Sequence, residues 1–235
     1  MRKGKNTWVL IIIFIATLAI LILNVYQFYR KEHLINPSAS INLDANHAYN
    51  FYLAGKPNIF NRSYYGSEKA SITMIAFLEP NSEASSYFLN EIFPQIERDY
   101  INTSKVRFYA KHYLTLQDLN SKNENYLDSA MLGCIEKLDK NNYYSFYFDL
   151  LRNHSLKQTL IERYKINDHL FNECMDTENS DLMNDMAEVE EFGISGVAPK
   201  FYIGLKGTDN IVIDGVPSYA RFRQTMRLYS IRVGD

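Results

Sequence analysis

ITMIAFLEPNSEASSYFLNEIFPQI, residues 72–96, decides how the rest of the chain is read. Ile72–Phe77 is a run of apolar and β-branched residues, the pattern of a central, buried strand. Pro80, Asn81 and Ser82 follow in a polar turn. From Ser85 to Tyr100, apolar residues recur at helical spacing: Phe88, Leu89, Ile92, Ile96 and Tyr100. Pro94 falls inside that helix and is expected to kink it. The segment is therefore a strand that feeds a helix through the turn Ser82-Glu83-Ala84-Ser85. Asn81 or Ser82 suits the helix N-cap, and Glu83 in the first turn complements the helix dipole.

Upstream, Trp8–Leu23 (WVLIIIFIATLAILIL) carries no charge, and Thr17 is its polar residue. Extended through Tyr26, it reaches the ~20 residues that cross a bilayer. Trp8, Tyr26 and Tyr29 occupy interfacial positions. Leu21–Tyr29 offers no small-x-small cleavage site, so the segment reads as an uncleaved anchor rather than a signal peptide. Arg2, Lys3, Lys5 and the amino terminus precede the span, against Arg30 and Lys31 after it. That bias puts the N-terminus inside and the domain outside the cytoplasm. The expected organisation is a basic N-terminus at 1–7, a transmembrane anchor at 8–28, a linker at 29–65 and a globular domain at 66–235, held at the cytoplasmic membrane. Asn36-Pro37-Ser38 and Gly55-Lys56-Pro57 break the linker, and Ala48–Leu53 is a short amphipathic helix candidate within it.

A chain of 235 residues holds one medium domain plus extras. Its 25 basic and 27 acidic residues give a net charge of −2, so no basic surplus argues for nucleic acid. There is no C-x-x-C, H-E-x-x-H or histidine cluster, and neither a metal nor a cofactor is expected. Sequons at Asn61, Asn102 and Asn153 carry meaning only if the domain is outside the cytoplasm of an organism that glycosylates.

Downstream, Val106–Ala110 reads as a second strand. One helix face carries Tyr126, Leu127, Ala130, Met131, Cys134 and Leu138; another carries Tyr143, Phe146, Tyr147 and Leu150. Leu160, Ile161 and Tyr164 mark a third helix. Asp168 is the expected cap of a fourth with Leu170, Phe171, Cys174 and Met175. Ser180 is that of a fifth with Met183, Met186, Ala187 and Phe192, stopped by Gly193. Lys200–Leu205 and Asn210–Asp214 are strands joined at Gly207-Thr208-Asp209, and a last helix runs from Ser218 to Ser230. Strand, helix, strand, a helical block over about 117–192, hairpin and helix make an α/β thioredoxin fold with a helical insertion.

On these residues the chain resembles the DsbA-like thiol-disulfide oxidoreductases. Gly66–Phe77 (GSEKASITMIAF) is similar to their opening strand, and Phe93-Pro94-Gln95-Ile96 with Tyr100–Phe108 (YINTSKVRF) to their first helix end and second strand. Gly193–Gly204 (GISGVAPKFYIG) is similar to their cis-proline loop and the strand after it. The resemblance runs from Gly66 to the last helix. It implies a cis Ala198–Pro199 bond facing Ser82, and a loop at Val197, Ala198 and Pro199 that hydrogen-bonds an extended substrate like an added strand. The bland alternative is that Pro199 shapes the start of a strand. The chain departs from the family twice. Ser82 and Ser85 stand where the family has its cysteines, and Val197-Ala198-Pro199 is one residue longer than the usual loop.

In an active member the helix N-terminus stabilises a thiolate, which attacks a disulfide. Serine forms no sulfur–sulfur bond, and a dipole worth ~0.3–1 kcal/mol does not ionise an unactivated hydroxyl. Acyl transfer by Ser82 would need a base; His112 is nearest in sequence, but nothing in the sequence places it beside Ser82. Cys134 and Cys174 lie on apolar helix faces, and three readings stay open: a structural disulfide, such as some family members add, two buried thiols, or a relocated redox pair. Lys200 reads as a solvated strand-end lysine. The expected function is redox-inactive binding of an extended polypeptide or protein partner around Ser82, Val197, Ala198 and Pro199, in a chaperone-like or assembly role. The alternatives are a thiol-disulfide oxidoreductase using Cys134 and Cys174, and an architectural subunit of a membrane complex.

Overall fold

A computed structural model describes residues 57–153, 156–177, 180–191, 198–205 and 210–233. The anchor at 8–28, the Ala48–Leu53 helix, Gly193 and Val197 lie outside the described residues. Among the described residues no helix is long and apolar enough to cross a membrane. All of them belong to one compact unit, Tyr49–Asp235.

Five strands form one sheet: β1 (Tyr65–Gly66), β2 (Ile72–Leu78), β3 (Val106–His112), β4 (Lys200–Leu205) and β5 (Ile211–Asp214), in the order β1-β3-β2-β4-β5. β2 is central, parallel to β3 and antiparallel to β4, and every residue of it is buried. That is what an uninterrupted apolar run requires. β3 runs two residues past its expected end at Ala110, through Lys111 and His112, both fully buried. Their ionisable side chains hide the strand from a hydrophobicity pattern.

Helix α1 follows β2 as four consecutive segments: α-helical Glu83–Tyr87, π-helical Phe88–Ile92, α-helical Phe93–Ile96 and π-helical Glu97–Ile101. Pro94 is the second residue of the third segment, just after a wide π-turn, so the missing N–H falls where the hydrogen-bond register changes. Gln95 Nε2 donates to the Glu91 carbonyl at 2.8 Å and supplies a donor beside it.

Among the described residues six helices separate β3 from β4: α2 (Leu116–Ser121), α3 (Glu124–Leu138), α4 (Tyr143–Arg152), α5 (Lys157–Arg163), α6 (Asp168–Asp176) and α7 (Ser180–Glu191). Helix α8 (Tyr219–Val233) follows β5. Asn167, rather than the expected Asp168, caps α6, its side chain accepting from Leu170 N at 3.0 Å. Asp168 instead takes the first helical position, where its charge faces the dipole.

The main core lies on one face of the sheet and joins Phe108 and Phe201 to Phe88 and Phe93 of α1, Phe146 and Tyr147 of α4, and Phe222, Met226 and Tyr229 of α8. A smaller cluster on the other face holds Ile75, Phe77, Tyr109 and Tyr202 with Val189 of α7 and Ala198. Cys134 of α3 is bonded to Cys174 of α6, with Cα atoms 5.9 Å apart. The pair is therefore neither two free thiols nor an open dithiol.

Residues 57–65 fall in the stretch read as linker, yet side chains and a strand pairing hold them in the domain. Asn58 N donates to Glu188 at 2.9 Å, and Arg62 pairs with Asp185 at 3.2 Å and Glu136 at 3.3 Å. Tyr65 pairs with Phe108 across β1 and β3.

Candidate functional site

β2 delivers the chain to the turn at Glu79–Ser82, and the local hydrogen bonds explain its shape. Ser82 N donates to the Glu79 carbonyl at 3.1 Å, closing the turn. Ser82 is the N-cap: its backbone is extended, and its Oγ accepts from Ser85 N at 3.4 Å. The expectation that left Asn81 or Ser82 as cap resolves to Ser82. Ser85 is fully buried and its Oγ accepts from Glu79 N at 3.2 Å. Both hydroxyls thus serve as acceptors that fold the turn back on itself, a structural task that needs no ionisation.

The helical insertion fastens the turn from outside. Asn81 Nδ2 donates to Asp128 at 2.9 Å, and Asp128, fully buried on α3, also pairs with Lys157 of α5 at 2.5 Å. Ser86 Oγ donates to the Leu151 carbonyl of α4 at 3.1 Å. Asn81, Glu83 and Tyr87 remain exposed beside a half-buried Ser82. Burial, with Asp118 nearby, raises the Glu79 carboxyl above the usual glutamate range. Burial also opposes ionisation of Asp118, but hydrogen bonds from Thr115 and Asn123 outweigh it and lower that carboxyl.

The second half of the site comes from β4. The Ala198–Pro199 peptide is cis, and both residues are buried. The β2–β4 ladder ends at Phe77 opposite Lys200, which brings Pro199 to the end of β2 from which the Ser82 turn departs. Gly215 N donates to the Pro199 carbonyl at 2.9 Å, and Lys200 is paired with Asp214 at 2.6 Å. Lys200 is therefore a buried, paired lysine, not the solvated one expected, because β5 returns a carboxylate to its level.

His112 is placed by β3 opposite Leu78. It is completely buried, and among the described residues neither ring nitrogen has a hydrogen-bond partner. Burial pushes its pKa down to about 4; Asp185 opposes the shift, and Arg62 and Lys111 add to it. Ser82 Oγ is engaged by Ser85 rather than by this imidazole. Among the described residues no group of three His, Cys, Asp or Glu side chains is arranged to hold a metal.

Sequence reasoning missed a buried polar cluster next to the site. Lys111 pairs with Asp185 at 3.1 Å and Glu188 at 2.5 Å, His112 N donates to Asp185 at 2.9 Å, and Arg62 joins Asp185 to Glu136. Asp185 and Glu188 lie on α7, the helix that leads toward the Ala198–Pro199 peptide. The available signal was acids spaced among Leu182, Met186 and Val189, on the inward stripe of an otherwise ordinary amphipathic helix.

A family model described as Thioredoxin matches residues 60–222. A candidate protein-disulfide oxidoreductase of Rickettsia typhi is 23% identical over 168 residues, 66% of this chain and 56% of that protein. A second, from Rickettsia felis, is 26% identical over 93 residues, 39% of this chain and 30% of that protein. The chain thus spans about half or less of the curated relatives it matches. Among solved structures, oxidised BdbD from Bacillus subtilis aligns with a TM-score of 0.63 at 20% identity, over 74% of this chain and 95% of that one. Wolbachia pipientis alpha-DsbA1 aligns with a TM-score of 0.57 at 22% identity, over 74% and 92%. Chlamydia trachomatis DsbA aligns with a TM-score of 0.57 at 15% identity, over 71% and 90%. At these identities the solved structures bear on the fold.

Proposed function

The chain belongs to the DsbA-like thioredoxin family, and from that premise we propose that its domain binds an extended polypeptide or protein partner outside the cytoplasm without exchanging disulfides. The anchor read at 8–28 tethers it to the membrane. The binding groove lies between the Ser82 turn and the Ala198–Pro199 peptide.

The observation that carries this reading is the pairing of a retained site with a missing dithiol. The Ser82 N-cap and the Ala198–Pro199 peptide sit at the same end of β2. An extended segment beside Pro199 takes its affinity from main-chain hydrogen bonds, which need no sulfur. Ser82 and Ser85 cannot form the mixed disulfide on which exchange depends. The two cysteines, Cys134 and Cys174, are already bonded to each other within the insertion, with Cys134 fully buried and Cys174 half-buried. That favours a structural role over the alternative of exchange at this pair, because a thiolate needs access to react.

Two measurements on the full chain test the proposal. A labelled, permanently unfolded polypeptide should bind saturably, and Ala84→Tyr, which fills space beside Ser82, should weaken binding tenfold or more while the fold survives. The wild type should show no insulin reduction above background. Turnover that persists in Cys134→Ser/Cys174→Ser would overturn the redox-inactive half. Turnover lost in that variant would move the chemistry to the insertion disulfide. A partner held equally well by Ala84→Tyr would point to an architectural subunit instead of a groove binder.

A further inference from the structure

Helices α7 and α8 carry opposite charge. Ser180–Glu191 contains Asp181, Asp185, Glu188, Glu190 and Glu191 and no lysine or arginine. Tyr219–Val233 contains Arg221, Arg223, Arg227 and Arg232 and no acid. With a net charge of −2 on the whole chain, so basic a helix is a local concentration and not an overall bias.

Helix α8 buries Phe222, Met226 and Tyr229 in the main core. Gln224, Arg227, Leu228 and Ile231 face outward, at the spacing of one helical stripe. Leu228 is 43% exposed and Ile231 76% exposed, both on the last two turns. Among the described residues Arg223 and Arg227 form no ion pair. Arg223 helps to lower the Asp99 carboxyl, whose direct hydrogen bonds come from Arg98 and Tyr219. Cations outside any close ion pair, beside protruding aliphatic side chains, match a surface whose anions lie above hydrocarbon.

We propose that the outward face of α8 docks on an anionic lipid bilayer, with Arg223 and Arg227 on lipid phosphates and Leu228 and Ile231 in the headgroup–acyl boundary. The inference rests on reading 8–28 as an anchor and is independent of the groove. Residues 29–56, even fully extended, keep Pro57 within ~95 Å of the membrane. A tether of that length gives an effective concentration in the millimolar range, which strengthens a surface contact that also holds by itself on anionic vesicles. Each arginine near an anionic surface is worth about a fivefold gain in partition.

The test uses the full chain with a polarity-sensitive dye at Gln224→Cys, the native cysteines being bonded to each other. In vesicles rich in phosphatidylglycerol the dye should shift blue and be quenched by spin-labelled lipid. In pure phosphatidylcholine vesicles it should do neither. Adding Arg223→Gln, Arg227→Gln and Ile231→Ser should cut the docked fraction tenfold or more, as should molar salt. A dye equally exposed in both vesicles overturns the proposal and leaves an acidic protein surface as the occupant of this face. Equal docking by the multiple variant overturns it too. Flotation with phosphatidylcholine vesicles reports the anchor separately. If the anchor fails, α8 must still float the chain with phosphatidylglycerol vesicles, and failure there also overturns the proposal.

Discussion

His112 sits at the end of β3 as a neutral imidazole with no hydrogen bond to either nitrogen among the described residues. Burial is the main reason its pKa falls to about 4, and Arg62 and Lys111 reinforce it against Asp185. In an unfolded chain the same side chain titrates at about 6.5. The folded value is the lower one, so between these pH values the unfolded state binds more protons. The stability His112 allows is complete above about 6.5 and drains away as the pH falls toward 4, a loss of about 3 kcal/mol by that point. Urea unfolding at a series of pH values from 7 to 4 should show this decline, and His112→Leu should flatten it. A variant that declines as steeply as the wild type would assign the acid sensitivity to other groups, such as Asp118, whose lowered carboxyl also loses its advantage in acid. At Ser82, by contrast, nothing titrates: the hydroxyl is a cap, and the residue that looked like a lost nucleophile serves the first turn of α1.

The Cys134–Cys174 bond ties α3 to α6 across a separation of 40 residues. Closing a loop of that size removes chain entropy from the unfolded state worth about 4 kcal/mol. Cys134→Ser/Cys174→Ser should lose roughly that much in denaturant unfolding, and wild type in dithiothreitol should match the variant. A variant as stable as the oxidised wild type would remove the structural role. The helices that carry these cysteines were legible because their apolar residues recur at helical spacing, and β2 was legible because it is apolar throughout. Their pairing was not, since only the packing of α3 on α6 decides which of three readings holds. The end of β3 was hidden because Lys111 and His112 are buried by partners far away in the chain. The segment at 57–65 was hidden for the same reason. Asn58 and Arg62 look like linker residues until Glu188 and Asp185 arrive from 130 and 123 residues away. The Ser82 turn was readable because its signals are local, strand then cap then helix. Its approach to Pro199 came only through resemblance, because the β2–β4 ladder joins residues more than a hundred positions apart.

At the scale of the molecule, the helical insertion is part of the core and not an appendage to it. Phe146, Tyr147 and Leu150 of α4 share one cluster with Phe108 of the sheet and Phe93 of α1. Tyr144 reinforces the join: its hydroxyl accepts from Ala110 N at 3.1 Å and donates to Ser63 O at 3.0 Å. Asp128, Asn81 and Lys157 link α3, the Ser82 turn and α5, and the Arg62–Asp185–Lys111 cluster links α7 to β3 and to the segment that opens the domain. A unit cross-braced in this way should unfold in one step, with the calorimetric and van't Hoff enthalpies of the domain transition equal. Reducing the disulfide should then shift the whole transition down by roughly 8–16 °C, because ~4 kcal/mol is spread over a domain of this size. It should not split off an early transition for the insertion. Hydrogen exchange of α4 amides and of β2 amides, followed across the denaturant transition, reports the insertion and the sheet separately. Coincident midpoints from the two probes, with and without reductant, are the expected result. A separate melting of α4 would mean that the insertion folds independently, and the Ser82 turn would then lose the outside fastening that holds its shape.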